Sequence, residues 1–492
     1  MQPLSELLTR ASIKDTTITG DVNVAISSIA TDSRAMEKGA LFIAIPGVTA
    51  DGTQYVPDAL KNGAAALVLS QKTRSDIIAT VPVMRVADIR ATVSALAAAF
   101  YPEQPRYCLA VTGTDGKTST ADFARQIASL LGHQAASIGT LGLRSPHEEC
   151  NLNFPPNNTS PEPILLHKTL QQLTSKAVEY VSIEASSHGL DQKRLDGLKL
   201  TAAAFTNLSR DHLDYHGTIE QYAAAKMRLF NSVLASGKTA IINAEDAQAE
   251  ALLKICKMRG ITSKTFGKMP DADYAIVNLA PHQNGLDALL RLEGRDTAIA
   301  LPLYGAFQLY NILAAYGLLR ATGIAACDLI PLFAKLEGVR GRLERVALHP
   351  CGAPIFVDYA HTPAALENIL KTLRYHTKNE LHLVFGCGGD RDAGKRPEMG
   401  KVAAQYADNI VVTDDNPRSE NAATIRAAII TAAKGSIEIG DRQEAIAYAV
   451  KNLQEGDVLV VAGKGHETTQ IVGAQTHHFD DAEEIKNAMR AL

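Results

Sequence analysis

The chain has no excess of positive charge: 49 Lys and Arg stand against 53 Asp and Glu, a net charge of −4. No basic field therefore marks a nucleic-acid partner. Paired cysteines are also missing. The six cysteines, at 108, 150, 256, 327, 351 and 387, are scattered without a Cys-x-x-Cys. They fit reduced thiols of a cytoplasmic protein better than disulfides or a zinc site. No basic region leads into an apolar stretch near Met1, so no signal peptide is expected. No apolar run approaches the length of a membrane span, so no membrane partner is expected. Internal repeats and low-complexity tracts are absent. An Asn-Lys-x-Asp run is absent too, which argues against a guanine-nucleotide switch. What remains is 492 residues, 46% apolar and 21% charged. That is an ordinary globular composition with length for about three domains.

Against this background Val111–Thr120 stands out, reading Val-Thr-Gly-Thr-Asp-Gly-Lys-Thr-Ser-Thr. The apolar run Cys108–Val111 predicts a buried strand, and residues 117–131 predict a helix. Strand, glycine-rich turn, Lys-Thr and helix form the layout of a phosphate-binding loop. Backbone N–H groups and a helix N-terminus face the anion, Lys117 adds charge, and the Thr118 hydroxyl can ligate Mg²⁺. Val111 occupies the place where the strict motif has its first glycine, so the loop is a variant built on Gly113 and Gly116.

Upstream, short apolar runs at 41–45, 65–69 and 83–86 predict strands, and 56–62 and 89–100 predict helices. Within this small α/β unit Ala30-Thr-Asp-Ser33-Arg34 reads on spacing alone as a turn, with a site for a phosphorylated or hydroxyl-rich ligand as the alternative. Two prolines between Tyr101 and Arg106 suggest a linker. Downstream, Val181–Glu184 reads as a strand ending in a carboxylate, where a parallel sheet would place an acid near a bound phosphate. Asn207–Gly217 packs histidines and aspartates onto one loop, which favours a metal or phosphate site over mere solvated polarity. Lys226 interrupts the apolar stripe of a helix over 218–234; on spacing alone it would snorkel to solvent. Residues 273–303 read as short strands and turns without a role. Glycines and arginines at 336–344 mark a second boundary. Beyond it, the continuous apolar runs 355–358, 381–385, 410–413 and 458–461 read as buried parallel strands. Each ends in a polar or glycine-rich loop on the ligand edge of a doubly wound sheet.

Taken in order, Gly-Thr-Asp-Gly-Lys-Thr, Glu-Ala-Ser-Ser-His-Gly-Leu, Asn-Leu-Ser-Arg-Asp-His-Leu-Asp-Tyr-His-Gly, Gly-Arg-Leu-Glu, Asp-Tyr-Ala-His-Thr-Pro and Gly-Cys-Gly-Gly-Asp-Arg-Asp resemble the Mur ligases. These are ATP-dependent amide ligases of peptidoglycan precursor synthesis, and the resemblance spans essentially the whole chain. It implies three α/β domains. A small N-terminal α/β domain (1–102) would hold the UDP substrate. A central ATPase-like domain with a phosphate loop and a mostly parallel sheet (103–338) would follow. A C-terminal Rossmann-like, doubly wound domain (339–492) would bind the amino acid.

Asp-Asn-Pro-Arg at 415–418 and Gly-Lys-Gly-His-Glu at 463–467 look like the member that adds the third peptide residue. Asp-Asn-Pro-Arg further resembles the form that adds meso-diaminopimelate to UDP-N-acetylmuramoyl-L-alanyl-D-glutamate. The resemblance implies ATP contacts from Gly113, Thr114, Asp115, Gly116, Lys117, Thr118, Ser119, Asn311, Arg342, Asp358 and His361. Thr118, Glu184, His212 and a carbamylated Lys226 would hold Mg²⁺. Ser33, Thr159, Ser160, Ser186, Gln192 and Arg194 would hold the UDP-muramoyl dipeptide, and Arg391, Asp415, Asn416, Arg418, Gly463 and Glu467 the diaminopimelate. Asp115 and Gln308 stand where the family usually has Asn, and Ser160 where it has Thr.

The implied chemistry converts a carboxylate to an acyl phosphate, which an amine then attacks, with domain closure excluding water. Catalysis would rest on Lys117, Lys226, His212 and Glu184, in a cytoplasmic monomer. A relative using L-lysine or another amine remains the alternative. A signalling nucleotide switch has no use for a third domain with four polar loops.

Overall fold

A computed structural model describes residues 1–47, 51–73, 79–146 and 158–492. Cys150 lies outside them. Packing divides the chain into two compact units, Met1–Ala272 with Asn311–Asp328, and Asp273–Tyr310 with Leu329–Leu492.

The first unit carries two sheets. The N-terminal sheet runs in the order Thr16–Thr19, Val83–Val86, Ala66–Ser70, Ala40–Ile43, Ser28–Ala30, parallel except for its first strand. Three of these strands and both flanking helices, Val56–Lys61 and Ile89–Phe100, match the sequence reading within two residues. Thr16–Thr19 and Ser28–Ala30 are edge strands too short and polar to give an apolar period. The larger sheet runs Gly142–Arg144, Ala135–Gly139, Tyr180–Glu184, Tyr107–Thr112, Leu200–Phe205, Thr239–Asn243, Thr262–Gly267. Its strands are parallel but for the Gly142–Arg144 hairpin. The phosphate-loop strand Tyr107–Thr112 is central and buried on both faces. Register sets Glu184 beside Val111 and Phe205 beside Thr112. The loops that follow both neighbours therefore emerge next to the phosphate loop, at the edge where ligands sit in such sheets.

In the second unit, residues 274–301 form three long antiparallel strands, Tyr274–His282, Gly285–Leu292 and Arg295–Leu301. The C-terminal sheet runs Glu344–Leu348, Pro354–Asp358, Val458–Ala462, Leu381–Phe385, Asn409–Val412, Ile437–Glu438, parallel except at its first pair. Helices such as Pro363–Arg374 and Arg442–Lys451 bury apolar stripes against it. This is the doubly wound layer expected of continuous apolar strands. The five described cysteines are free thiols. Among the described residues, no helix is long and apolar enough to cross a membrane.

Candidate active site

The phosphate loop is shaped by its two glycines. Gly113 (φ 151°) and Gly116 (φ 81°) take backbone conformations that L side chains avoid. A Cβ on Gly113 would lie 1.9 Å from Thr206 Oγ1, and one on Gly116 2.3 Å from Asn311 Oδ1. That crowding brings Asn311 to the loop, as the resemblance implied. The next strand's loop braces it: Thr114 N donates to Asn207 O (2.8 Å), Asp115 N to Asn207 Oδ1 (2.9 Å), and Thr206 Oγ1 to Asp115 O (2.6 Å). Asp115 is thus held through its backbone while its side chain stays exposed. Lys117 opens the helix Lys117–Leu130, and its Nζ donates to Gly113 O (2.9 Å) and Thr114 O (2.7 Å). Its charge is therefore pinned over the loop that would cradle an anion. Ser119 is buried in the first turn of the same helix.

Glu184 is 2% exposed at the end of its strand. Thr118 Oγ1 donates to Glu184 Oε2 (3.0 Å), and Thr140 donates its N–H to Oε1 (2.8 Å) and its hydroxyl to Oε2 (3.2 Å). These bonds stabilise the ionised carboxylate and leave the Thr118 oxygen with lone pairs to offer a cation. Among the described residues no three His, Cys, Asp or Glu side chains converge as a metal cage. One carboxylate and one hydroxyl beside a phosphate loop is nonetheless a donor set that suits Mg²⁺, which completes its shell with phosphate oxygens and water.

Next to Glu184 lies most of the proposed UDP-substrate set. Ser160 Oγ donates to Glu184 O (2.8 Å) and lies 3.0 Å from Ser186 Oγ, and Thr159 Oγ1 lies 3.1 Å from Thr140 Oγ1. Arg194 donates to Ser160 O (2.9 Å) and Gln192 Oε1 (2.7 Å) and pairs with Glu162. Arg90, from the N-terminal sheet's helix, reaches Gln192 Oε1 at 3.3 Å. Ser33 is buried apart, its carbonyl accepting from Asn62 Nδ2 (2.9 Å).

His212 is left-handed (φ 51°) and half exposed, with its Nε2 3.4 Å from Asp211 Oδ2. Its ring packs edge-on to His188 at 4.9 Å and lies 6.2 Å from Tyr222. It sits in an aromatic cluster of His188, Tyr215, His216 and Tyr222. Lys226 does not snorkel. It is 1% exposed, on the helix Ile219–Arg228. Its Nζ donates to Gly113 O (2.5 Å) and rests 4.4 Å from the centre of the Tyr222 ring. Tyr222, one helical turn earlier, reaches Thr114 Oγ1 at 3.2 Å. Burial, reinforced by the neighbouring Lys117 charge, pushes the Lys226 ammonium down to about 6. The residue is then mostly a free amine at neutral pH, the form that can react with CO₂ to give an anionic carbamate.

In the second unit, Asp358 accepts the N–H groups of Leu343 (2.7 Å) and Ala360 (2.8 Å), and burial raises its carboxyl above the usual range. Arg342 lies over the Tyr359 ring, and His361 Nδ1 bonds Tyr359 O (2.9 Å). On the same sheet edge, Asn416 Nδ2 donates to Glu467 Oε2 (3.0 Å). A Cβ on Gly463 would meet Asp415 Oδ2 at 2.7 Å. Arg418 is left-handed (φ 50°), locked by its N–H to Ile471 O (3.1 Å) and by Gly473 N to its own carbonyl (2.7 Å). A bulky residue in that conformation is strained and is held by its surroundings. Its Nη1 donates to Gly389 O (2.6 Å), and Nη1 would also be 2.9 Å from a Cβ on Gly388, with Arg391 Cγ at 3.9 Å. The edge thus gathers all six proposed amino-acid contacts.

Four participants escaped the sequence reading. Tyr222 was findable by its helical spacing to Lys226. Lys464 sits inside a motif already singled out. Arg442 and Asp481 carry no local signal, because their meaning lies in burial. Arg442, wholly buried, makes a fork to Asp481 (2.7 and 2.8 Å) and donates to Ala462 O (3.0 Å) and Asp414 O (3.5 Å). It ties the end of the strand Val458–Ala462 to the loop after Asn409–Val412. Arg442→Met would leave Asp481 buried without its partner, so urea unfolding should show a loss of about 3–5 kcal/mol. A loss below about 1 kcal/mol would mean that the pair is not holding the strand end and the loop together.

A phosphate loop with a buried acid beside it marks the class of nucleotide-using enzymes, and the chain belongs to the Mur ligase family. Family models match residues 25–101 (Mur ligase family, catalytic domain), 111–319 (Mur ligase middle domain) and 341–465 (Mur ligase, glutamate ligase domain). The fold is accordingly the family's three-domain one. The chain is 46% identical over 473 residues to the UDP-N-acetylmuramoyl-L-alanyl-D-glutamate–2,6-diaminopimelate ligase of Mesorhizobium japonicum, covering 96% of each chain. It is 47% identical to the ligase of the same name from Brucella melitensis, covering 95% of each. A solved structure of a ligase of that name is 33% identical, with TM-score 0.74 over 99% of both chains.

Proposed function

We propose that the protein joins meso-diaminopimelate to UDP-N-acetylmuramoyl-L-alanyl-D-glutamate with ATP, through an acyl phosphate, as a cytoplasmic monomer in peptidoglycan precursor synthesis. The proposed domain bounds are 1–102, 103–338 and 339–492. The observation that supports the amine's identity is Arg418. Meso-diaminopimelate exceeds lysine by one carboxylate on its far carbon. Arg418 offers a planar, permanently charged group in a strained backbone, with one nitrogen anchored to Gly389 O. Its Nη2 and Nε make no hydrogen bond among the described residues, leaving a donor pair for a carboxylate. Glu467 supplies a carboxylate for an ammonium.

In the reaction the dipeptide carboxylate takes the γ-phosphoryl of ATP, releasing ADP; the amine then attacks the acyl carbon, gives up a proton, and phosphate leaves. Lys117 holds the phosphates in place, and Arg194, Ser160 and Ser186 orient the dipeptide. Thr118, Glu184, His212 and a carbamylated Lys226 would hold Mg²⁺. The metal, when bound, neutralises phosphate charge.

An amino-acid panel with the UDP-dipeptide tests this. The wild type should take diaminopimelate over L-lysine by about ten- to a hundred-fold, since lysine leaves Arg418 without its charge-assisted partner, roughly 1.5–3 kcal/mol. Arg418→Lys should erase much of that preference, because an ammonium lacks the fork. Wild-type preference for lysine, or an Arg418→Lys enzyme as good with diaminopimelate, would reject the assignment.

A further inference from the structure

Gly463-Lys464-Gly465 turns sharply at the end of the strand Val458–Ala462. Both glycines are left-handed (φ 116° and 56°), and a Cβ on Gly465 would meet Tyr359 atoms at 2.7–2.9 Å. The turn drives the Lys464 side chain inward, where it is 0% exposed. A buried lysine without a task is costly, and the reaction as derived above gives Lys464 none.

Its ammonium has two partners. Nζ donates to Asn416 Oδ1 at 3.0 Å and lies 3.7 Å from Glu467 Oε2. Asn416 Oδ1 also accepts the N–H of Ile471 (2.9 Å), while its Nδ2 donates to Glu467 Oε2 (3.0 Å). An asparagine amide is nearly symmetric in shape, and its network decides which end faces a ligand. Here two donors occupy the oxygen. Asn416 therefore offers a ligand N–H only, and cannot accept from an ammonium. Glu467, held by both Asn416 and Lys464, is the acceptor.

We propose that Lys464 is a positioning residue of the amino-acid site, which sets the polarity of Asn416 and through it the placement of the Glu467 carboxylate. The proposal rests on the reading that these loops bind the incoming amino acid. Burial, with the Arg442 charge behind it, holds the Lys464 amine below its ordinary range, against the pull of Asp415, Glu467 and Asp481.

The test uses the full-length enzyme and KM values for all three substrates. Lys464→Met should raise the amino-acid KM about tenfold while moving those for ATP and the UDP-dipeptide less than about twofold. Acting through Asn416, the change should add little in an Asn416→Ala background. A lysine that only supports the fold would cost the same in both backgrounds. Lys464→Gln keeps a polar group; it should be milder than Met, and it carries the same test if the methionine variant does not fold. A rise shared by all three substrates, no rise at all, or full additivity with Asn416→Ala would overturn the role. If the wild type prefers another amine, the proposed substrate falls. The positioning role then stands or falls on that amine's KM.

Discussion

Lys117→Ala should lower kcat about 10³-fold or more with the fold intact. The loss corresponds to about 4 kcal/mol of transition-state stabilisation, the scale for removing one fixed charge or donor from a transferring group. Lys117 is the only cation in residues 111–120, and its Nζ is pinned over the loop by the Gly113 and Thr114 carbonyls. No neighbour in the loop can replace it. The bonds to the Gly113 and Thr114 carbonyls contribute about 1 kcal/mol each to the resting protein, so their loss should shift thermal unfolding by only a few degrees. The variant should also relax Lys226, since the Lys117 charge helps hold its ammonium down. Measuring ADP release with both other substrates present checks the rate. Near-normal turnover would mean the ATP site lies elsewhere.

Lys226 should show activity and stability moving in opposite directions. Lys226→Met should lose about a hundredfold or more in rate, and short-chain carboxylates should partly restore Lys226→Ala, because each supplies the anion that a carbamate would. The same Met variant should be more stable near neutral pH in CO₂-depleted buffer. The folded lysine titrates at about 6, below its ordinary 10.5, so between those values the unfolded chain holds the proton that the folded one has released. Wild-type stability should therefore rise with pH across that window, by up to about 1.4 kcal/mol per unit from this one group. The rise should vanish in Lys226→Met. Equal pH slopes for the two proteins would show that Lys226 is an ordinary charged lysine. Undiminished activity in the Met variant would remove it from the catalytic set.

Much of this was legible in the sequence, for local reasons. Short, mostly apolar runs such as Leu381–Phe385 and Val458–Val461, bounded by glycine-rich or polar loops, read as buried strands and fold so. Gly113, Gly116 and Lys117 announce a phosphate loop, because backbone freedom and charge at fixed spacing are properties of the chain itself. The ordered motifs told the family. Residues 273–303 read as short strands and turns and fold as three antiparallel strands, each longer than the reading because exposed polar positions break up their apolar runs. Other facts were decided only by the fold. Whether Lys226 snorkels or is buried neutral depends on Tyr222 and Gly113, the latter 113 residues away. Whether Asn416 gives or takes a hydrogen bond depends on Lys464 and Ile471. Whether Arg442 is surface charge or a strut depends on Asp481. Sequence fixes which groups a chain carries; desolvation and the direction of a hydrogen bond are set by neighbours that only tertiary packing brings near.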